Sequence, residues 1–215
     1  MKSIHKISAS LFAAALLAAS GAALSFWAFR QIEDAGTAQK HAIALLNNAN
    51  ALMSEMTAAE TGQRGFIITG DESYLAPFEA GRTVHFKILS DLRELVADNA
   101  DQQTRIASLQ ELAESKLNEL EDTIMTRKQS GFEPARTKVL SSAGKETMDR
   151  IRSVAGEMRT AEGGLLESRL SSARFAERMM ILVAVSCVAL SLAGRMLAFL
   201  VRARMQEKAR MTERA

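Results

Sequence analysis

Ile106-Ala107-Ser108-Leu109-Gln110-Glu111-Leu112-Ala113-Glu114-Ser115-Lys116-Leu117-Asn118-Glu119-Leu120-Glu121-Asp122-Thr123-Ile124 repeats apolar residues at steps of three and four. Ile106, Leu109, Ala113, Leu117, Leu120 and Ile124 therefore fall on one side of a 3.6-residue helix, with Glu, Asp, Asn and Gln on the other. Met148, Ile151, Ala155, Met158 and Leu165 repeat the pattern later in the chain. Leu46, Met53 and Met56, then Val84, Ile88, Leu92 and Leu95, do so earlier. Strand-type alternation is absent, and the methionines read as pliable core filler. The expected class is all-α.

Breaks between these helices are chemically marked. Thr69-Gly70-Asp71 offers a glycine for the position after a helix and an aspartate to cap the next. Asp98-Asn99-Ala100-Asp101 is a second corner, with Asn99 expected to turn left-handed and Asp101 to cap. Ser130-Gly131-Phe132-Glu133-Pro134 is a third, with glycine past one helix and proline in the first turn of the next. Three corners predict four helices in an up-down-up-down bundle with short loops.

Two apolar stretches bracket this region. Residues 7–29 contain no charged side chain, are preceded by Lys2 and Lys6, and are closed by Arg30. At 1.5 Å per residue the run is long enough for a hydrocarbon core of roughly 30 Å. Ser20-Gly21-Ala22 also suits a cleavable signal peptide. The apolar run continues past it through Leu24, Phe26, Trp27 and Phe29, which favours an uncleaved anchor. The second stretch, 179–201, is interrupted by Arg195, expected to snorkel to the inner headgroups rather than to serve at mid-bilayer.

Charge orients the pair. Residues 31–178 hold 18 Lys/Arg and 23 Asp/Glu, a net of −5, whereas the two flanks hold 9 and 2, a net of +7. Positive flanks stay inside. The expected layout is a cytoplasmic start at 1–6, a span at 7–29, a periplasmic or extracellular four-helix domain at 30–178, a span at 179–201 and a short basic cytoplasmic tail at 202–215, all in a bacterial inner membrane. The mildly basic total is thus a topological effect. No basic stripe with interleaved aromatics suggests nucleic acid.

The exported region has no cysteine, since Cys187 lies in the second apolar stretch, so its fold rests on the hydrophobic core. His5, His41 and His85 are scattered singly, and no metal or other cofactor is expected. No nucleophile elbow, phosphate loop or catalytic triad pattern appears, and an enzyme is not expected.

One segment departs from plain amphipathic helix: Glu60-Thr61-Gly62-Gln63-Arg64-Gly65-Phe66-Ile67-Ile68-Thr69-Gly70-Asp71, followed by Tyr74-Leu75 and Pro77-Phe78. A helical glycine costs up to about 1 kcal/mol relative to alanine. The run resembles the signature of the CHASE domain of type three, a sensory extracellular domain associated with cyclases and histidine kinases. The matching residues are Arg64, Gly65, Phe66, Thr69, Gly70, Tyr74, Leu75, Pro77 and Phe78, with Glu60 one turn upstream. The resemblance implies a helical sensor between two spans, homodimeric, passing a signal to a cytoplasmic histidine kinase or cyclase. About 14 residues follow the second span, which leads to the expectation of a sensor working through a separate partner, or of a split or truncated receptor.

Two roles for the motif follow. In the structural one, Gly62 and Gly65 allow close helix approach, Arg64 pairs with Glu60, and Phe66, Tyr74 and Phe78 pack the end of the bundle. In the recognition one, Arg64 is a guanidinium fork for the carboxylate or phosphate of a small ligand, with Thr69 and Tyr74 donating hydrogen bonds beside Asp71. Gly163-Gly164 in the last helix is either a flexible joint for signal transfer or a thin patch of packing. The competing function class is a helical membrane scaffold that binds another membrane protein and no small ligand.

Overall fold

The computed structural model describes residues 2–212; the side chains of 1–11, 13, 14, 17, 205 and 207–215 lie outside the description. Five α-helices and a 3-10 turn follow one another, with no strand among the described residues: α1 (Lys2–Thr69), the turn Glu72–Leu75, α2 (Ala76–Leu95), α3 (Ala100–Ser130), α4 (Phe132–Leu140) and α5 (Ala143–Thr212). The chain divides into two compact units, residues 37–167 and the paired segments 1–36 and 168–215.

In the first unit every residue of the 106–124 stripe is buried, joined by Met148, Ile151, Ala155 and Met158 of α5. Leu165 is exposed, so the α5 stripe ends sooner than its spacing implies. On α1 the core face is Leu45, Leu52, Met56 and Ala59, about one residue away from the expected Leu46 and Met53. Alanine recurs so often on this helix that two neighbouring faces have similar apolarity. On α2 the inward residues are Phe78, His85, Ile88, Leu89 and Leu92, while Val84 is exposed.

The corners obey simple capping chemistry, with two corrections. Asn99 has extended backbone (φ −120°) rather than left-handed, and it is the cap of α3: its side-chain oxygen accepts from the Gln102 N–H at 3.1 Å. Asp101 instead lies in the first turn, where a carboxylate favours the helix dipole. Gly131 adopts φ 87° between α3 and α4, and Pro134 stands in the first turn of α4.

The expected fourth helix is divided. It stops at Leu140 and resumes at Ala143, with Ser142 at φ 64°. The Ser141 hydroxyl donates to the Lys138 carbonyl at 2.7 Å, the local side-chain-to-backbone bonding by which serine competes with helix continuation.

In the second unit Ala28, Ala35 and Ala176 are buried, while Phe26, Phe29, Phe175, Leu182 and Phe199 are among the exposed large side chains. Among the described residues, one helical segment within Ala143–Arg204 is long and apolar enough to cross a membrane; its mean hydropathy is 2.1 and none of it is buried. In the other expected span, 7–29, the side chains of 7–11, 13, 14 and 17 lie outside the description.

Candidate functional site

The motif lies where α1 ends and the chain folds back along it. A Cβ added at Gly62 would fall 2.4 Å from the Tyr74 carbonyl oxygen, and one at Gly65 would fall 2.4 Å from Tyr74 Cδ1. The two glycines therefore seat the 3-10 turn directly on α1. Phe66 and Phe78 are buried beneath, at 3 % and 2 % exposure. Tyr74 lies on the outside at 47 %, its ring covering α1 rather than filling the end of the core.

The reversal itself is saturated with hydrogen bonds. Gly70, at φ 77°, donates its N–H to the Phe66 carbonyl at 2.7 Å. The Thr69 hydroxyl donates to the Gly65 carbonyl at 2.8 Å and accepts from the Asp71 N–H at 3.1 Å, which occupies its only proton. Asp71 accepts from the Ser73 N–H at 2.9 Å, and this cap holds its carboxyl below the ordinary carboxylate range. Thr69, Gly70 and Asp71 are thus committed to the turn. Arg127 braces it from α3, donating from Nε to the Ile67 carbonyl at 2.8 Å.

Glu60 and Arg64 belong to a charge network with a member the sequence reading passed over. Arg64 Nη2 donates to Glu60 Oε1 at 2.8 Å. The same carboxylate lies 3.5 Å from Lys116 Nζ, whose side chain is only 1 % exposed. Lys116 also donates to Glu119 Oε2 at 2.8 Å and to the Gly144 carbonyl at 3.1 Å. Two hydrogen bonds and the ion pair with Glu60 make so deep a burial tolerable. A Cβ at Gly144 would collide with Lys116 Nζ and Glu119 Oε2 at about 2.6 and 2.5 Å. Spacing held the clue to Lys116, because it lies three residues after Ala113 and four before Leu120 on the core face.

Arg64 faces outward on its other side. Together with Arg136 of α4 it lines an open cleft of about 360 Å³ walled by Ile67, Ile68, Phe132 and Val139. A larger groove of about 810 Å³ runs along another flank of α1, past Ser54, Ala58, Thr61 and Gly65 to Tyr74, and carries no charged side chain. The helix expected after Gly131 already contained Arg136, but residue spacing does not say which of its faces meets Arg64.

Gly163 and Gly164 lie within unbroken α5, and a Cβ at either would meet nothing within 4 Å. The adjacent Glu162 is buried and accepts from His41 Nδ1 at 3.2 Å. His41 Nε2 makes a short hydrogen bond to the Leu95 carbonyl, so one imidazole ties α1 to α5 and to the end of α2. Both ring nitrogens face acceptors, which favours the doubly protonated ring. Its pKa is raised above 6.5, first by the Leu95 carbonyl and then, against partial burial, by Glu162 and Asp98.

Comparison with known proteins agrees with this architecture. The profile of the CHASE3 domain matches residues 35–172. The crystal structure of the Rhodopseudomonas palustris histidine kinase HK9 sensor domain superposes with a TM-score of 0.54 at 25% sequence identity, covering 58% of this chain and 97% of that one. A search of curated proteins returned no match. With the match spanning well over half its length, the chain belongs to the CHASE3 family of sensory signal-transduction domains.

Proposed function

We propose that the chain is the extracytoplasmic sensor of a bacterial transmembrane receptor. In this reading 7–29 and 179–201 cross the inner membrane, both termini are cytoplasmic, and 30–178 forms an up-down-up-down bundle on the far side. The sensor is homodimeric and passes its signal through α5 to a cytoplasmic output module such as a histidine kinase or cyclase. Arg64, Glu60 and their surroundings are the receptive end, and Gly163-Gly164 is the joint.

The observation that carries this reading is the surface of the second span. Leu182, Val185, Val188, Leu192, Leu197 and Phe199 are all more than half exposed on one helix. So much contiguous apolar surface is stable against lipid and not against water. Arg195, close to the inner end, can reach the headgroups along its own aliphatic stem. The bundle layout is supported by contacts that descend α5 as they climb α1: His41 to Glu162, then Asn50 to Arg159 at 3.2 Å, then Glu60 through Lys116 to Gly144.

Alkaline phosphatase fusions test the topology. The enzyme joined after residue 99 should be active, and joined after residue 212 inactive, because it folds only outside the cytoplasm. Activity at 212 with none at 99 would invert the proposal.

A further inference from the structure

The cleft between the end of α1 and α4 combines apolar walls with two guanidinium groups. Its walls are Ile67, Ile68, Phe132 and Val139, of which Ile68 is 72 % and Phe132 39 % exposed. Its charged lining is two guanidinium groups from different helices, Arg64 and Arg136. Arg64 gives one amino group to Glu60, and Arg136 gives one to Glu133 Oε2 at 3.3 Å. A guanidinium has five N–H donors in a fork, so each retains donors for a planar anion.

We infer that this cleft is a binding site for a small monocarboxylate with an apolar body. Each arginine already has a carboxylate neighbour, so the two pairs are together neutral and any bound anion adds net negative charge. A monocarboxylate adds the least, one charge received by the remaining donors of two forks, whereas a phosphate dianion would add two beside Glu60 and Glu133. The walls select the body, since covering Ile68 and Phe132 removes apolar surface from water. A volume of about 360 Å³ is at the small end of ligand sites. The larger groove beside Tyr74 lacks any charged side chain and has no comparable means of fixing a ligand's orientation.

The site also has a route into the fold. A carboxylate on Arg64 competes with Glu60, and Glu60 released from Arg64 turns wholly to Lys116, which holds the first residues of α5 through Gly144. This gives the proposed sensor its stimulus and rests on that reading for its purpose, but binding is measurable without it.

The test is calorimetric titration of the full chain in lipid nanodiscs with hexanoate and with benzoate. Hexanamide and benzamide, of the same shape without charge, and inorganic phosphate serve as controls. Saturable binding of at least one acid is expected, with both amides silent. Arg64→Gln and Arg136→Gln should each weaken it about tenfold or more, the loss of one charge-assisted contact. Arg82→Gln removes a similar surface pair with Glu121, outside the cleft, and should leave binding unchanged. Circular dichroism confirms that each variant is folded. Absence of binding by both acids overturns the inference, as does binding indifferent to Arg64 and Arg136, equal binding of the amides, or binding of phosphate alone. The phosphatase fusions report on topology whatever these titrations show, so the two failures are separable.

Discussion

At Gly62 and Gly65 the backbone and ring of Tyr74 occupy the space a side chain would need, whereas at Gly163 and Gly164 nothing lies within 4 Å. All four glycines sit inside helices of one domain. The first pair is there because a returning chain presses on α1, and its helix cost is offset by that contact. The second pair has no packing reason, and its remaining physical consequence is a helix easier to bend. The same contrast extends to charge. The Glu60 end is locked by a buried lysine with two hydrogen bonds and two carboxylate neighbours, while the Glu162 end is held by an imidazole whose charge depends on pH.

The largest effect should come from Lys116→Met, which takes the buried ammonium from Glu60 and Glu119 and from the Gly144 carbonyl. Breaking such a pair costs about 3 kcal/mol or more, read as a lowered midpoint in denaturant melts; an unchanged midpoint would make the locked end no tighter than the other. Next is Gly65→Ala, whose overpacking should cost about 1–3 kcal/mol. Adding Tyr74→Ala should recover much of that loss, because the clash is with the ring. The same rescue should fail for Gly62→Ala, where the obstacle is the Tyr74 backbone oxygen.

The third effect is a pH dependence. Because folding raises the His41 pKa above 6.5, its contribution to stability is complete below pH 6.5 and is lost as pH rises through the raised value. The melting temperature of the native chain should therefore fall between pH 6 and 9 relative to His41→Gln, and parallel curves would remove His41 from the comparison. Smallest is Gly163→Ala with Gly164→Ala. With open space at both positions the double variant should be as stable or up to about 1–2 kcal/mol more so. It should also transmit signal differently in a reporter strain if the pair is the joint.

Much of this was legible in the residues, because helix periodicity and capping are local. The α3 stripe, the Gly70 reversal and the Gly131 corner all depend on neighbours within a few positions. What escaped depended on distant partners or on weak local preferences. The α1 core face turned on a choice between similar alanine-rich sides. The break at Ser142 arose from serine hydrogen bonding that leaves no strong sequence mark, so α4 was read as the start of one long fourth helix. Lys116 was hidden because its type argues for the surface, while two of its three partners, Glu60 and Gly144, come from α1 and α5.

The central claim is that stimulus at the Arg64 end changes the output of an attached cytoplasmic module. A fusion of the chain to a histidine kinase catalytic core, reconstituted in liposomes, allows autophosphorylation to be followed with and without external hexanoate or benzoate. The account predicts a change in rate with whichever acid binds, abolished by Arg64→Gln. An unchanged rate in the native fusion, while calorimetry shows that acid bound, would contradict it.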